Sequence, residues 1–418
     1  MKSVAILTTF YEAESGYSLI RVAETQIRML LDHGYDPIVL VREDFKTPDD
    51  PETLWRRETV DLRPILPALE LTNTIPTDFE NRVAQIVDAL REGLEGVDVC
   101  ITHDVILQEY YQAHNIAMRR YAEERPDLLW LHWIHSCPMA GGAESYPRNC
   151  RYIPPPGYII YPNNVDRVYP IRTYKMTGQE HRVKACRSAH AIDPLTVWNY
   201  DRMTRDLATK ADLLGGEIVA VYPARLDRGK QPERIIRLLA GVQKAGYETR
   251  LLVIDWQSQG EHFQRYMDEL SELAAGYDVA LNFTSRLDDA CAQGAPPHVV
   301  IELMDLSNVY IHPSAVETYS LVVHEAMTRG KLCILNHDFP AMRELYGDAA
   351  IYMDFGSDRT TRQYHPNEQA FWNDEALRLI AEFKQNRALV AQTRARREWT
   401  PQALWREFEL LLYLDAQT

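Results

Sequence analysis

Two glutamates, Glu317 and Glu325, are separated by seven residues in the stretch 309–330, VYIHPSAVETYSLVVHEAMTRG. An apolar strand at Val309, Tyr310 and Ile311 runs into a turn at His312, Pro313 and Ser314. The following loop carries Glu317, and a helix opening near Ser320 carries Glu325. A strand that leads through a polar loop into a helix presents backbone N–H groups and a positive dipole end to an anion. Carboxylates beside that anion site can accept hydrogen bonds from hydroxyls, so a pyrophosphate joined to two hydroxyl-rich sugars would use both features. A serine at position 320 suits the helix cap. Upstream, the run 220–230, AVYPARLDRGK, places Arg225 and Lys230 just beyond another strand. Arginine offers phosphate oxygens a planar fork and lysine a point charge, and the pair would neutralise a diphosphate that gains charge as its bond breaks.

The elements that position these residues fall into two tandem α/β halves. In the first, 3–9 reads as a buried strand, 19–32 as an amphipathic helix ended by Gly34, and 36–41 as a second strand. The proline-rich run 44–58 reads as a surface excursion, 78–94 as a helix and 97–102 as a strand ending at His103. The stretch 128–136, LLWLHWIHS, is a buried strand ending in histidines, with His132 and His135 on opposite faces by period-two alternation. The Gly-, Pro- and Ser-rich 137–156 reads as a long loop near a site, and 158–161 and 191–197 are expected to finish the first sheet. After a polar helix over 198–214, Gly215 and Gly216 break the pattern and the logic repeats. Strands are expected at 218–222, 250–256, 279–284, 309–311, 331–335 and 350–354, with a helix over 231–244 and an amphipathic final helix over 399–413. Alternating strands and helices imply doubly wound parallel sheets.

Composition narrows the function classes. With 418 residues there is room for two cored domains, and 25% charged against 46% hydrophobic residues describes a globular chain. A net charge of −15 argues against a broadly basic nucleic-acid-binding face. No apolar run reaches membrane-spanning length, and MKSVAILTTFYEAE carries no signal-peptide pattern. Six scattered cysteines without a C-x-x-C pair read as buried thiols, and the cytoplasm is the expected compartment. Neither half opens with G-x-G-x-x-G, which sets a dehydrogenase aside.

The run Pro313-Ser314-x-x-Glu317-Thr-Tyr-Ser-Leu-x-x-x-Glu325-Ala326-Met327-x-x-Gly330 resembles the E-x(7)-E signature of the retaining, group 1 (glycogen synthase-like) GT-B glycosyltransferases. The usual string is P-S-x-x-E-G-F-G-L-x-x-x-E-A-M-A-x-G, so Thr318 and Ser320 stand where the group has glycines. Arg225, Leu226 and Lys230 match the group's G-R-L-x-x-x-K-G, with Ala224 and Gln231 in place of its glycines. The resemblance implies a GT-B fold, two Rossmann-like domains facing a central cleft. It implies an acceptor-binding domain over 1–214, a nucleotide-sugar-binding domain over 215–398, and a last helix within 399–418 that crosses back to the first domain.

By the same resemblance, Arg225 and Lys230 bind the donor pyrophosphate, Glu325 the nucleotide ribose and Glu317 the donor sugar. Tyr319 belongs to the same donor loop, where Ser320 and Leu321 offer backbone N–H groups. His135 is the match for a histidine that approaches the sugar near its reacting carbon. The first loop, normally paired glycines, here holds Gly16 and Tyr17, and Glu12 and Glu14 in it favour an acceptor without an anionic group. The implied reaction is retaining transfer of a hexose from a nucleoside diphosphate sugar, UDP-glucose ahead of a GDP-sugar. No D-x-D occurs, so neither a donor-bound metal nor another cofactor is expected. The acceptor stays open between small molecule, lipid, glycan and protein. Alternatives are a GT-B enzyme acting on modified nucleobases in phage DNA, which the acidic balance disfavours, and a nucleotide-sugar-binding protein without catalysis.

Overall fold

The structure is a computed structural model that describes residues 2–13, 17–49, 53–69, 75–103, 105–108, 111–135, 153–315, 320–356 and 369–416. The chain divides into two compact units, Met1–Asp193 with Glu398–Thr418, and Pro194–Arg397. Each is a doubly wound parallel sheet, as the alternating pattern requires.

The first unit contains β1 (Val4–Leu7), β2 (Ile38–Arg42), β3 (Asp61–Leu66), β4 (Val99–His103), β5 (Leu129–Trp133), β6 (Tyr158–Tyr161) and β7 (Val183–Ala185), in the order β3-β2-β1-β4-β5-β6-β7. The central strands β1, β4 and β5 are buried along their whole length because both faces are covered. In β1, Val4 and Ile6 face one core layer while Ala5 and Leu7 face the other. The helix Ser18–Asp32 buries Ile20, Ala23, Ile27 and Leu30, a stripe at helical spacing. It stops where Gly34 turns to φ 78°, a conformation glycine reaches without Cβ conflict. The last helix, Pro401–Leu411, is capped by the Thr400 hydroxyl, which accepts from the Ala403 N–H, and packs in this unit through Leu404 and Phe408.

Two expectations need correction here, and one strand was not expected. The run 44–58 is not merely a surface excursion, since Trp55 is fully buried and its Nε1–H donates to Glu24 at 2.8 Å. Burial raises the Glu24 pKa despite that bond. The seventh strand is Val183–Ala185, whereas Pro194 starts a short helix, Pro194–Val197, in the region expected to finish the sheet. The strand β3 was not among the expected strands, and it contains Pro64. As an edge strand paired only with β2, it tolerates the missing donor.

The second unit contains β8 (Ile218–Ala224), β9 (Thr249–Asp255), β10 (Ala280–Phe283), β11 (Val309–His312), β12 (Leu332–Asn336) and β13 (Ile351–Met353), in the order β10-β9-β8-β11-β12-β13. Ile218, Ala220 and Tyr222 face one core layer, and Val219 and Val221 the other. Residues 194–214 pack with this unit, their Leu195, Leu207 and Leu213 lying in the same layer as Val219. The helix Arg202–Lys210 is capped by Asp201, whose carboxylate accepts from the Met203 N–H at 2.8 Å. Strand order reverses between β1 and β4 in the first sheet and between β8 and β11 in the second. Such reversals open a crevice beyond the carboxyl ends of the strands.

Candidate functional site

Both motif loops of the second unit leave the sheet at its switch point. The loop after β8 carries Arg225 and Lys230, and the turn after β11 carries Pro313, Ser314 and Ala315. Backbone groups join them: the Ala315 N–H donates to the Gly229 carbonyl at 2.7 Å, and the Tyr222 hydroxyl donates to the Lys230 carbonyl at 2.9 Å. Asn336, at the end of β12, donates from Nδ2 to the carbonyls of Ser314 (3.0 Å) and Gly356 (2.7 Å). The carboxyl ends of β8, β11 and β12 and the residues after β13 are thereby one hydrogen-bonded rim. Asn336 was not among the expected site residues. Its signal was an amide closing the apolar strand LCILN, where a buried polar side chain must have partners.

Gln231 explains a glycine that the motif usually has. Its φ is 51°, in the left-handed region that glycine enters freely and other residues enter at a cost of about 1–2 kcal/mol. This chain holds a glutamine there by burying it to 8% exposure, with Nε2 donating to Gly356 O at 3.5 Å and Oε1 accepting from Arg234 Nε at 3.3 Å. Pro232 then starts the helix Pro232–Lys244.

Arg225 is exposed and pairs with Asp227 within its own loop, Nη2 lying 3.2 Å from Oδ2. An exposed pair of this kind contributes little, about 0–1 kcal/mol, so an incoming phosphate can displace or share it. Lys230 is half-buried beside it. The helix Leu321–Thr328 follows Ser320, which has extended φ and ψ of −133° and 113°. The serine does not cap it, contrary to expectation: its hydroxyl accepts from none of the first-turn amides, and the residue is buried. The first-turn N–H groups, Leu321 among them, therefore have no serine cap competing with an anion. Leu321 is 68% exposed at this end, and Glu325 is exposed on the next turn. Glu317 and Tyr319 lie outside the described residues, as does Gly16 in the first unit.

In the first unit, Tyr17 is exposed at the start of the helix Ser18–Asp32, its ring edge-on to Phe10 at 5.7 Å. His132 is wholly structural. Its Nδ1 lies 2.8 Å from Thr102 Oγ1 and its Nε2 2.8 Å from Pro156 O, and burial lowers its pKa to about 3. His135 lies two residues past the end of β5, where strand alternation no longer applies. Both of its ring nitrogens are engaged: Nε2 lies 2.7 Å from His103 Nδ1, and Nδ1 lies 2.8 Å from His190 Nε2. His190 was not expected. It sits in a turn after β7 and is 55 positions from its partner, so no local pattern marks it.

Residues 205–358 match the family model described as glycosyl transferases group 1, a little over a third of the chain. No curated protein sequence matches. Among solved structures, sucrose-phosphate synthase from Thermosynechococcus elongatus is 16% identical over 98% of both chains, with a TM-score of 0.34. Anabaena Alr3699/HepE in complex with UDP-glucose is 14% identical over 99% of this chain and 100% of that one, with a TM-score of 0.35. A glycosyltransferase from Rickettsia africae is 11% identical over 98% and 97%, also at 0.35. With identities and TM-scores this low, the weight falls on the family match and the two sheet orders. Together these support a GT-B glycosyltransferase with two Rossmann-like units.

Proposed function

We propose that the chain is a retaining glycosyltransferase that moves a hexose from a nucleoside diphosphate sugar, UDP-glucose ahead of a GDP-sugar, to a hydroxyl acceptor. The supporting observation is the junction at which Ala315 N–H meets Gly229 O. It brings the Arg225 and Lys230 loop and the segment leading to the helix Leu321–Thr328 to one switch point, so cations and helix amides serve one diphosphate.

In this reading Lys230 and Arg225 hold the diphosphate, with the Ser320 and Leu321 N–H groups completing its cradle. Glu325 accepts from ribose hydroxyls, Glu317 and Tyr319 meet the sugar, and Gly16 and Tyr17 line the acceptor side. The bond from the anomeric carbon to the diphosphate oxygen breaks through an oxocarbenium-like transition state, and a bond to the acceptor oxygen forms on the same face. The acceptor proton passes to the departing phosphate, whose new charge the two cations stabilise. No pair of protein carboxylates is needed as in hydrolases.

The test is incubation with UDP-glucose and a panel of hydroxyl acceptors, followed by NMR of the product. An α-linked product from the α-linked donor is expected. A β-linked product would overturn the retaining assignment, and absence of donor consumption across UDP-, GDP-, ADP-, CDP- and dTDP-sugars would favour binding without catalysis.

A further inference from the structure

Between β6 and β7 the first unit carries the helix Val168–Tyr174, continued by one tighter turn over Lys175–Thr177. The winding begins earlier, since the Val168 N–H donates to the Val165 carbonyl at 3.4 Å and the Tyr169 N–H to the Asp166 carbonyl at 3.0 Å. Gly178, at φ 70°, ends it. Pro170 and Tyr174 are buried, and Ile171 packs with Tyr174 on the core layer that also holds Ala5 and Leu7. The opposite face is apolar as well. Val165, Tyr169 and Met176 are 77%, 54% and 92% exposed, and Met176 is the most exposed large apolar side chain among the described residues. Positions 165, 169, 172 and 176 advance by four, three and four, so they form one stripe.

Arg172 falls on that stripe and Lys175 beside it, and both are exposed. Neither has an ion-pair partner among the described residues. Residues 161–190 hold six lysines and arginines against two acids, a local charge of +4 in a chain whose net charge is −15. Of the two acids, Asp166 accepts from Asn163 Nδ2 at 3.1 Å, and both it and Glu180 are partly buried. The outward face is therefore cationic around its apolar stripe, against the sign of the rest of the chain.

Shape decides what such a face fits. A protein partner packs its apolar contacts into a close-fitting interface core, whereas a methionine 92% exposed stands out from the surface. A projecting apolar side chain with a tyrosine and two cations beside it suits the boundary of a bilayer. There the apolar groups enter the acyl edge, the tyrosine lies at headgroup level and the cations meet lipid phosphates. No helix among the described residues is long and apolar enough to cross a membrane, so the contact is a surface one. We propose that the stripe Val165, Tyr169, Arg172 and Met176, with Lys175, docks the first unit on an anionic lipid bilayer. None of these residues belongs to the donor site, and the docking does not rest on the transfer reading.

The test is sedimentation of the full chain with vesicles of phosphatidylcholine, alone or with about 30% phosphatidylglycerol, at about 0.1 M salt. Binding to the anionic vesicles and not to the neutral ones is expected, and it should weaken as salt is raised. Each cation near such a surface contributes about fivefold in partition, so Arg172→Gln with Lys175→Gln should lower it about 25-fold. Met176→Ser leaves the charge unchanged and should still lower partition about threefold or more. Arg265→Glu alters net charge as much as the double variant does, at an exposed position on the helix Glu261–Ala275 of the second unit. It should leave partition within about twofold of wild type. These side chains are exposed, so the variants should fold, and the salt dependence of the wild type needs no variant. Equal binding to neutral vesicles, salt-independent binding, wild-type binding by Met176→Ser, or an equal loss in Arg265→Glu would each overturn the proposal. Absence of binding to either vesicle would overturn it too and leave the face to a protein partner.

Discussion

The carboxyl ends of the two sheets solve the problem of polar groups at a switch point in opposite ways. In the second unit the backbone is tied down, by the Ala315 N–H at the Gly229 carbonyl and by the Asn336 side-chain amide at the carbonyls of Ser314 and Gly356. In the first unit side chains are tied to one another, and the innermost ring is buried without charge. Cations held on a rigid rim, Arg225 exposed and Lys230 half-buried, suit an anion that arrives from water.

The largest effect should come from the rim's cations. Lys230→Ala is expected to lower turnover about 10²–10³-fold and to weaken donor binding, as removal of a preorganised transition-state contact does. Arg225→Ala should cost less, because Asp227 already competes for its guanidinium. Steady-state kinetics with UDP-glucose would check both, and equal losses would break the distinction.

Acid separates the two units next. His103, His114 and His132 all lie in the first unit, fully buried, with burial lowering their pKa well below normal, to about 4, and to about 3 respectively. Their folded pKa values lie below the unfolded value near 6.5, so the unfolded chain takes up protons first as pH falls. The stability they confer is full above about pH 6.5 and is lost downward, by about 1.4 kcal/mol per pH unit for each ring. Peptide-resolved hydrogen exchange between about pH 7 and 5 should show the first unit loosening. Unchanged protection there would contradict the assigned burial.

Asn336→Ala should destabilise the second unit by about 1–3 kcal/mol, because two carbonyls lose their donor, and should raise KM for donor. Urea unfolding and kinetics read the two effects. The smallest change is Gln231→Gly, expected to alter stability by less than about 1 kcal/mol, as relief of the left-handed φ offsets the loss of two long hydrogen bonds. Turnover should persist.

Much of this arrangement was legible in the sequence where physics is local. Fully buried strands such as VAIL and IVAVY read as strands because a doubly covered sheet demands apolar residues at every position. The places of Arg225 and Lys230 after a strand and of Glu325 on a helix were visible because strand exit and helix entry are short-range signals. Position 231 shows the same from the other side, since the left-handed turn persists although its glycine is gone. What stayed hidden depends on distant partners. Trp55 is buried by Glu24, Phe10 and Phe45, and nothing in the charged run around it announces them. The strand Asp61–Leu66 is defined by its pairing with β2 at a sheet edge, and His190 acquires meaning only beside His135.

The most direct test of the central claim is thermal unfolding with UDP-, GDP-, ADP-, CDP- and dTDP-sugars, on wild type and Lys230→Ala. A ligand that binds only the native state raises Tm by mass action. The account predicts one clear responder, UDP-glucose first, whose shift disappears in Lys230→Ala. An equal shift in both proteins would contradict the donor site at the rim of β8 and β11.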